Sequence, residues 1–323
     1  MILKFGLGYI KNIISEGMIM SLLAKIRHYG FVGSARIATG IGLRPVRKLL
    51  KSLRLFRLRD APRYFNPSED ELSLIENDLL RLGISIVDYS PPPDQYILFK
   101  AGNWFPLNYH GGIASGVWDE KLLEHWIAAN LLDLWKYRKH DVYVDIAACD
   151  SPWAKTLRER LGLAAYAIDM SPVGFKYRDL SYYRSENATA TAFDDGQVMG
   201  ASLQCAFEMF MNEDDQNLIP EFARILAPGG KAIILPLYMH THWCAYSTPE
   251  YYGKGYSDAS AKEYLRADCD GVPSSRKYDA QRLIDRVLVP IQESGMRYTL
   301  RVLRNKVVFG KGVYCHFILE IEK

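Results

Sequence analysis

The stretch from Asp141 to Trp153, DVYVDIAACDSPW, constrains the fold more than any other part of the chain. It begins as an apolar run rich in β-branched residues, turns through small and polar ones, and passes directly into a helical pattern. A buried strand feeding a helix through a tight turn is the place where open α/β sheets bind nucleotides. A second strand, Ala164 to Asp169 (AAYAID), follows and ends on a carboxylate. Two strand ends, a turn of small residues and one acid predict an adenosine-binding crevice.

The rest of the chain extends this alternation. Asn66 to Arg81 predicts a helix with Ser68 as N-cap and Gly83 as its stop. The run Pro91-Pro-Pro-Asp94 predicts a break, Tyr96 to Lys100 a strand, and Asn103 to Gly116 an aromatic loop able to cover a ligand. Asp119 to Lys139 has a helical pattern whose apolar side carries Leu122, Leu123, Trp126, Ile127, Leu131, Leu134 and Trp135. After the central strand come a helix over Trp153 to Leu161, the Ala164 to Asp169 strand, a short strand and turn from Asn187, and a fourth apolar strand over Val198 to Leu203. A helix over Leu218 to Leu226, a turn at Ala227-Pro-Gly-Gly230, a strand over Lys231 to Leu237 and a last helix over Tyr278 to Ser294 follow. Met296 to Arg304 and Gly312 to Glu322 predict a closing antiparallel hairpin. The expected class is α/β: a Rossmann-like, mostly parallel seven-stranded sheet with helices on both faces and one reversed strand.

Charge divides the chain. Residues 1–63 hold 13 Lys and Arg against two acids, a net of +11, and the remainder has 27 bases and 35 acids, a net of −8. Arg44 to Arg59 places Val46, Leu49, Leu50, Leu53 and Phe56 near helical spacing among its bases, a basic amphipathic helix. Such a face either packs on protein, including a second copy, or lies on an anionic membrane surface. The organisation expected is a basic helical arm at 1–65, bridging helices and a loop at 66–140, and the main domain at 141–323 with an aromatic-rich insertion at 238–277. Five widely spaced cysteines and no C-x-x-C exclude a disulfide framework or zinc ribbon and point to a reducing cytoplasm. No run of about 18 apolar residues spans a bilayer, and no signal peptide is evident.

Several segments from Val142 to Lys323 together resemble the class I S-adenosylmethionine-dependent methyltransferases, and especially methyltransferase-like proteins of bacterial surface-polysaccharide pathways. Glu221-Phe-Ala-Arg-Ile-Leu-Ala-Pro-Gly-Gly-Lys-Ala-Ile-Ile-Leu235 is similar to that family's helix, proline-glycine-glycine turn and fifth strand. Phe193-Asp-Asp-Gly196 through Glu208 is similar to the preceding turn and fourth strand, and the terminal hairpin to the reversed seventh strand. Where the family's first loop usually has three glycines, this chain has Ala147, Cys149 and Ser151, all small but less free in φ.

The resemblance implies S-adenosylmethionine as cofactor. It places Asp145 before the loop and Asp169 where a carboxylate holds both ribose hydroxyls. It sets Asn187 near the adenine, and Gln204 joins this cofactor set with Ala147, Cys149 and Ser151. The reaction implied is methyl displacement from the sulfonium by an acceptor oxygen or nitrogen, with acceptor groups beyond the fourth and fifth strands: Glu208, His240 and His242, histidine being suited to a base role. The one-residue spacings of His240, His242 and Cys244 meet no familiar zinc signature, so no metal is expected. The insertion's tyrosines and Trp243 suit sugar faces, so the expected acceptor is a saccharide or lipid-linked glycan, reached through residues 1–59 on the inner membrane face. A non-catalytic partner of a glycosyltransferase in a polysaccharide assembly complex and an RNA methyltransferase are the alternatives. A homo-oligomer fits the arm as well, whereas nucleic acid is disfavoured by bases interleaved with aliphatics.

Overall fold

The computed structural model describes residues 54–170 and 181–323. The chain divides into a unit of residues 1–61 and a unit of residues 62–323. In the first, residues 54–57 are helical and 58–60 form a turn, so the expected basic helix stops short of Arg59, and its residues 44–53 lie outside the described residues.

The second unit is built on eight strands in the order β1-β10-β11-β6-β5-β2-β3-β4. These are β1 (Ile86–Tyr89), β2 (Val142–Ile146), β3 (Ala164–Asp169), β4 (Tyr183–Ser185), β5 (Val198–Gln204), β6 (Leu226–Leu237), β10 (Arg297–Leu303) and β11 (Phe317–Glu322). Strand β11 runs antiparallel to both β10 and β6, while β1–β10, β5–β6, β2–β5, β2–β3 and β3–β4 are parallel pairs. The reversed strand is thus as expected, and the sheet has eight strands instead of seven because β1, from the bridging region, adds to the free edge of β10.

Alternation along the strands assigns two cores. Val142, Val144 and Ile146 of β2 face a core with helices α1 (Glu69–Arg81) and α5 (Asp214–Ile225) and with α6 (residues 280–293). Tyr143 of the same strand faces the other core, with α2 (Pro93–Ala101), α3 (Trp118–Leu131) and α4 (Trp153–Leu161). Helix α1 starts on a capping box in which the Glu71 N–H donates to Ser68 Oγ at 3.3 Å and the Ser68 N–H to Glu71 Oε2 at 2.8 Å.

Three local expectations fail for identifiable reasons. The Tyr96 to Lys100 segment is part of α2: proline is tolerated at a helix's first positions, and Tyr96 and Phe99, three apart, bury one face. The segment from Asn187 forms turns, with the short strand lying earlier at Tyr183–Ser185. Helix α3 stops at Leu131, and Asp133 at φ 53° leads into a 3₁₀ turn over Leu134–Lys136. The insertion forms its own three-stranded sheet of β7 (Cys244–Ser247), β8 (Lys262–Leu265) and β9 (Ser275–Lys277), ordered β8-β7-β9.

Candidate active site

Every residue of β2 is buried, so the strand delivers its carboxyl end to a fixed point. There the loop takes the course that glycines favour without having them: Ala147 has φ 53° and Cys149 φ 46°. Left-handed backbone at an L-residue costs of order 1 kcal/mol or more, and here it is sustained by bonds on both sides. The Ala148 N–H donates to Ile168 O at 3.0 Å, and the Cys149 N–H to Asp169 Oδ2 at 2.8 Å. Below the loop the Ser151 hydroxyl donates to Asp145 Oδ2 at 2.8 Å, and the Trp153 N–H reaches Ser151 Oγ at 3.3 Å. Asp145 is buried, which pushes its carboxyl up to about 7; the Ser151 bond opposes that rise and the Asp169 charge adds to it.

A cleft of about 540 Å³ opens above this loop. Ala147, Cys149, Asp169 and Asn187 stand in its wall, together with Cys205 and Met209. Asn187 is exposed, and its Oδ1 accepts from the Thr189 N–H at 3.0 Å, holding the turn it begins. Asp145, Ser151 and Gln204 are not in the wall: the first two brace the loop, and Gln204 donates to Ser202 Oγ at 2.7 Å. A second cavity, of about 790 Å³, lies against the 103–110 loop and α4 and shares Cys149 with the first. The expected covering loop therefore lines a cavity, though not the one that contains Asp169.

Beyond β5 and β6 the acceptor side is crowded with polar groups that periodicity does not reveal. The Cys205 thiol donates to Glu124 Oε1 at 3.0 Å and lies 3.1 Å from the Tyr238 hydroxyl and 3.3 Å from that of Tyr314. Lys121 Nζ bonds both Glu124 oxygens, at 3.1 and 3.2 Å. On a sequence these charges read as the solvated face of α3, yet that helix is buried on every side from Glu120 to Ala129. Cys205 was findable, since it stands two residues beyond the predicted Val198–Leu203 strand. Glu208 shares a short 3₁₀ turn with the wall residue Met209; it is buried, and its Oε2 has no hydrogen-bond partner. Burial raises its carboxyl above the usual range, with the Lys277 ammonium pulling the other way. Lys277 is itself buried, 4.1 Å above the Tyr238 ring, and burial lowers its ammonium to about 8. His240 and His242 are outside the cleft wall and gather instead with Cys244, Tyr64 and Tyr264.

The cleft volume falls in the range of about 300–1,000 Å³ usual for small-molecule sites. Its loop keeps a glycine-like course and projects only a methyl and a thiol, and an acid stands in its wall. These residues fit a nucleoside cofactor.

The family model for a methyltransferase domain matches residues 144–234. No curated protein matches the chain in sequence. Among solved structures, it is similar to a 1,6-didemethyltoxoflavin-N1-methyltransferase from Burkholderia thailandensis at 13% identity and TM-score 0.43, covering 74% of this chain and 94% of that one. An S-adenosylmethionine-dependent methyltransferase from Methanosarcina mazei aligns at 13% identity and TM-score 0.39, over 59% and 96% of the two chains. A geranyl diphosphate C-methyltransferase from Streptomyces coelicolor aligns at 14% identity and TM-score 0.36, over 66% and 85%.

Proposed function

We propose that this S-adenosylmethionine-dependent methyltransferase holds its cofactor in the 540 Å³ cleft and methylates a hydroxyl of a saccharide or lipid-linked glycan. The observation that carries the reading is Asp169, at the end of β3, lining the same cleft as the left-handed residues Ala147 and Cys149 of the loop. Asp169 accepts the ribose hydroxyls, and Asn187 faces the base. When bound, S-adenosylmethionine supplies a methyl group already activated by its sulfonium. The chain's own task is alignment and proton removal. Glu208, next in the chain to the wall residue Met209, takes the acceptor's hydroxyl proton: its unpartnered buried oxygen and its proton affinity, raised by burial, suit a base. The hydroxyls of Tyr238 and Tyr314 and the Lys121–Glu124 pair gather on Cys205, the wall residue through which this polar group meets the cleft.

Residues 1–59 serve as the contact with an anionic membrane surface, a reading that rests on their charge and apolar spacing. The insertion's aromatics support the saccharide less than their number implies, because Trp243 and Tyr246 are buried among their neighbours. Among the described residues no helix is long and apolar enough to cross a membrane.

Calorimetry with S-adenosylhomocysteine tests the cleft. The intact chain binds it, and Asp169→Ala weakens binding by about 10- to 100-fold, the worth of hydrogen bonds to a charged group. Glu208→Gln keeps that affinity and loses methyl transfer to the acceptor. Absence of binding at millimolar cofactor, or an unchanged affinity in Asp169→Ala, overturns the assignment.

A further inference from the structure

On the side of the molecule built by the small sheet, His240, His242 and Cys244 each offer one donor atom, and these three atoms lie within 4.8 Å of one another. In a regular strand, residues two apart are separated by about 6.6 Å. Here residues 241–243 bend, which brings the two imidazole centroids to 4.4 Å before the chain enters β7. Sequence signatures for zinc describe ligands spaced by turns and helices, which is why this spacing carries no signal until the bend is seen.

We propose that His240, His242 and Cys244 form a transition-metal site whose donor set fits zinc(II), with a fourth position for water or an added ligand. Imidazole and thiolate are borderline to soft donors that select such ions over magnesium or calcium. Zinc–nitrogen and zinc–sulfur bonds of about 2.0–2.3 Å require the widest donor separation to close by about 1 Å, within reach of side-chain rotation.

The surroundings hold the donors in place. His240 and Cys244 are buried and His242 is partly buried. The Thr241 hydroxyl is 3.2 Å from Nδ1 of each histidine, and the Tyr264 hydroxyl is 2.8 Å from His242 Nε2, so a metal on His242 takes the place of one of its two contacts while the other orients the ring. The thiolate is the ligand form, so metal binding releases the Cys244 proton.

The test uses the full chain, stripped with a chelator and titrated with zinc and with cobalt(II), with bound metal counted and absorption recorded. The expected result is about one equivalent bound, a thiolate-to-cobalt charge-transfer band, and a melting temperature raised by zinc. Cys244→Ser abolishes the band, and His242→Ala lowers affinity by more than about tenfold. His242 is only partly buried, so its substitution leaves the fold readable by circular dichroism if Cys244→Ser disturbs it. No binding to the intact chain overturns the proposal, as does equal affinity in His242→Ala and the parent, which places the metal elsewhere.

Discussion

Asp145 is a buried carboxyl whose job is to brace a loop. It accepts from Ser151 below the turn, while Asp169 accepts from Cys149 above it, so two acids clamp the same few residues from opposite sides. Burial sets the proton affinity of the first: its carboxyl shifts from an ordinary 3.8 to about 7. Because the native state then keeps a proton that the unfolded chain has lost, this group's contribution is intact below about pH 4 and declines as pH rises to about 7. Each unit is worth about 1.4 kcal/mol, so urea unfolding of the parent should lose about 2–3 kcal/mol between pH 5 and pH 8 from this source. Asp145→Asn should be flatter over the same interval; equal slopes would show that Asp145 is not protonated in the fold. The acid before the loop was legible in the sequence, since it closes a β-branched run. Its role was not, because the bond from Ser151 that turns it away from the ligand space is a matter of side-chain direction.

Elements were legible where period and punctuation agree, as in α4, which occupies the predicted Trp153–Leu161, and β3, which occupies Ala164–Asp169. The turn at residues 227–230 shows what such punctuation means physically. It is a bulge inside β6, where pairing with β5 jumps from Leu226 opposite Val198 to Lys231 opposite Gly200. Gly229 has φ +76°, and a Cβ on Gly230 would stand 2.9 Å from both Ala227 O and Val198 O. Both neighbours are backbone and cannot swing aside. Gly230→Ala should therefore cost about 1–3 kcal/mol, whereas Gly116→Ala, which meets nothing within 4 Å, should stay within about 0.5 kcal/mol. Thermal melts of the two variants decide it, and a neutral Gly230→Ala would mean that the bulge relaxes. Helix α3 was legible as a helix and illegible as a source of buried polar groups beside Cys205: Glu120, Lys121 and Glu124 sit where a solvated face is expected, and only the packing of the second core around them makes them interior.

At the scale of the whole molecule, the small sheet must be held against the large one if the acceptor side is to keep its shape, and sequence patterns give no hint of how. The fastening is ionic and buried. Asp215, at the start of α5, lies 2.7 Å from Arg276 of β9 and 2.6 Å from Arg286 of α6, and it accepts from the Tyr278 hydroxyl at 2.6 Å. Both arginines also donate to Asn212 O, at 2.8 and 2.6 Å, and Asp258 takes a second bond from Arg276 at 2.9 Å. Removing the acid leaves two guanidinium groups with little water and one fewer counter-charge, so Asp215→Ala should cost about 3–5 kcal/mol, with the Asp258 contact keeping it toward the lower end. Deleting the exposed Lys136–Asp133 pair by Lys136→Ala, in contrast, should change stability by less than about 1 kcal/mol. The effect should also reach the cleft, since Met211 and Asp214 of its wall flank Asn212 and Asp215 in the chain. Urea unfolding and cofactor calorimetry on Asp215→Ala should therefore both fall, and a variant that loses stability while binding S-adenosylhomocysteine as the parent does would show that the wall is set by α5 alone.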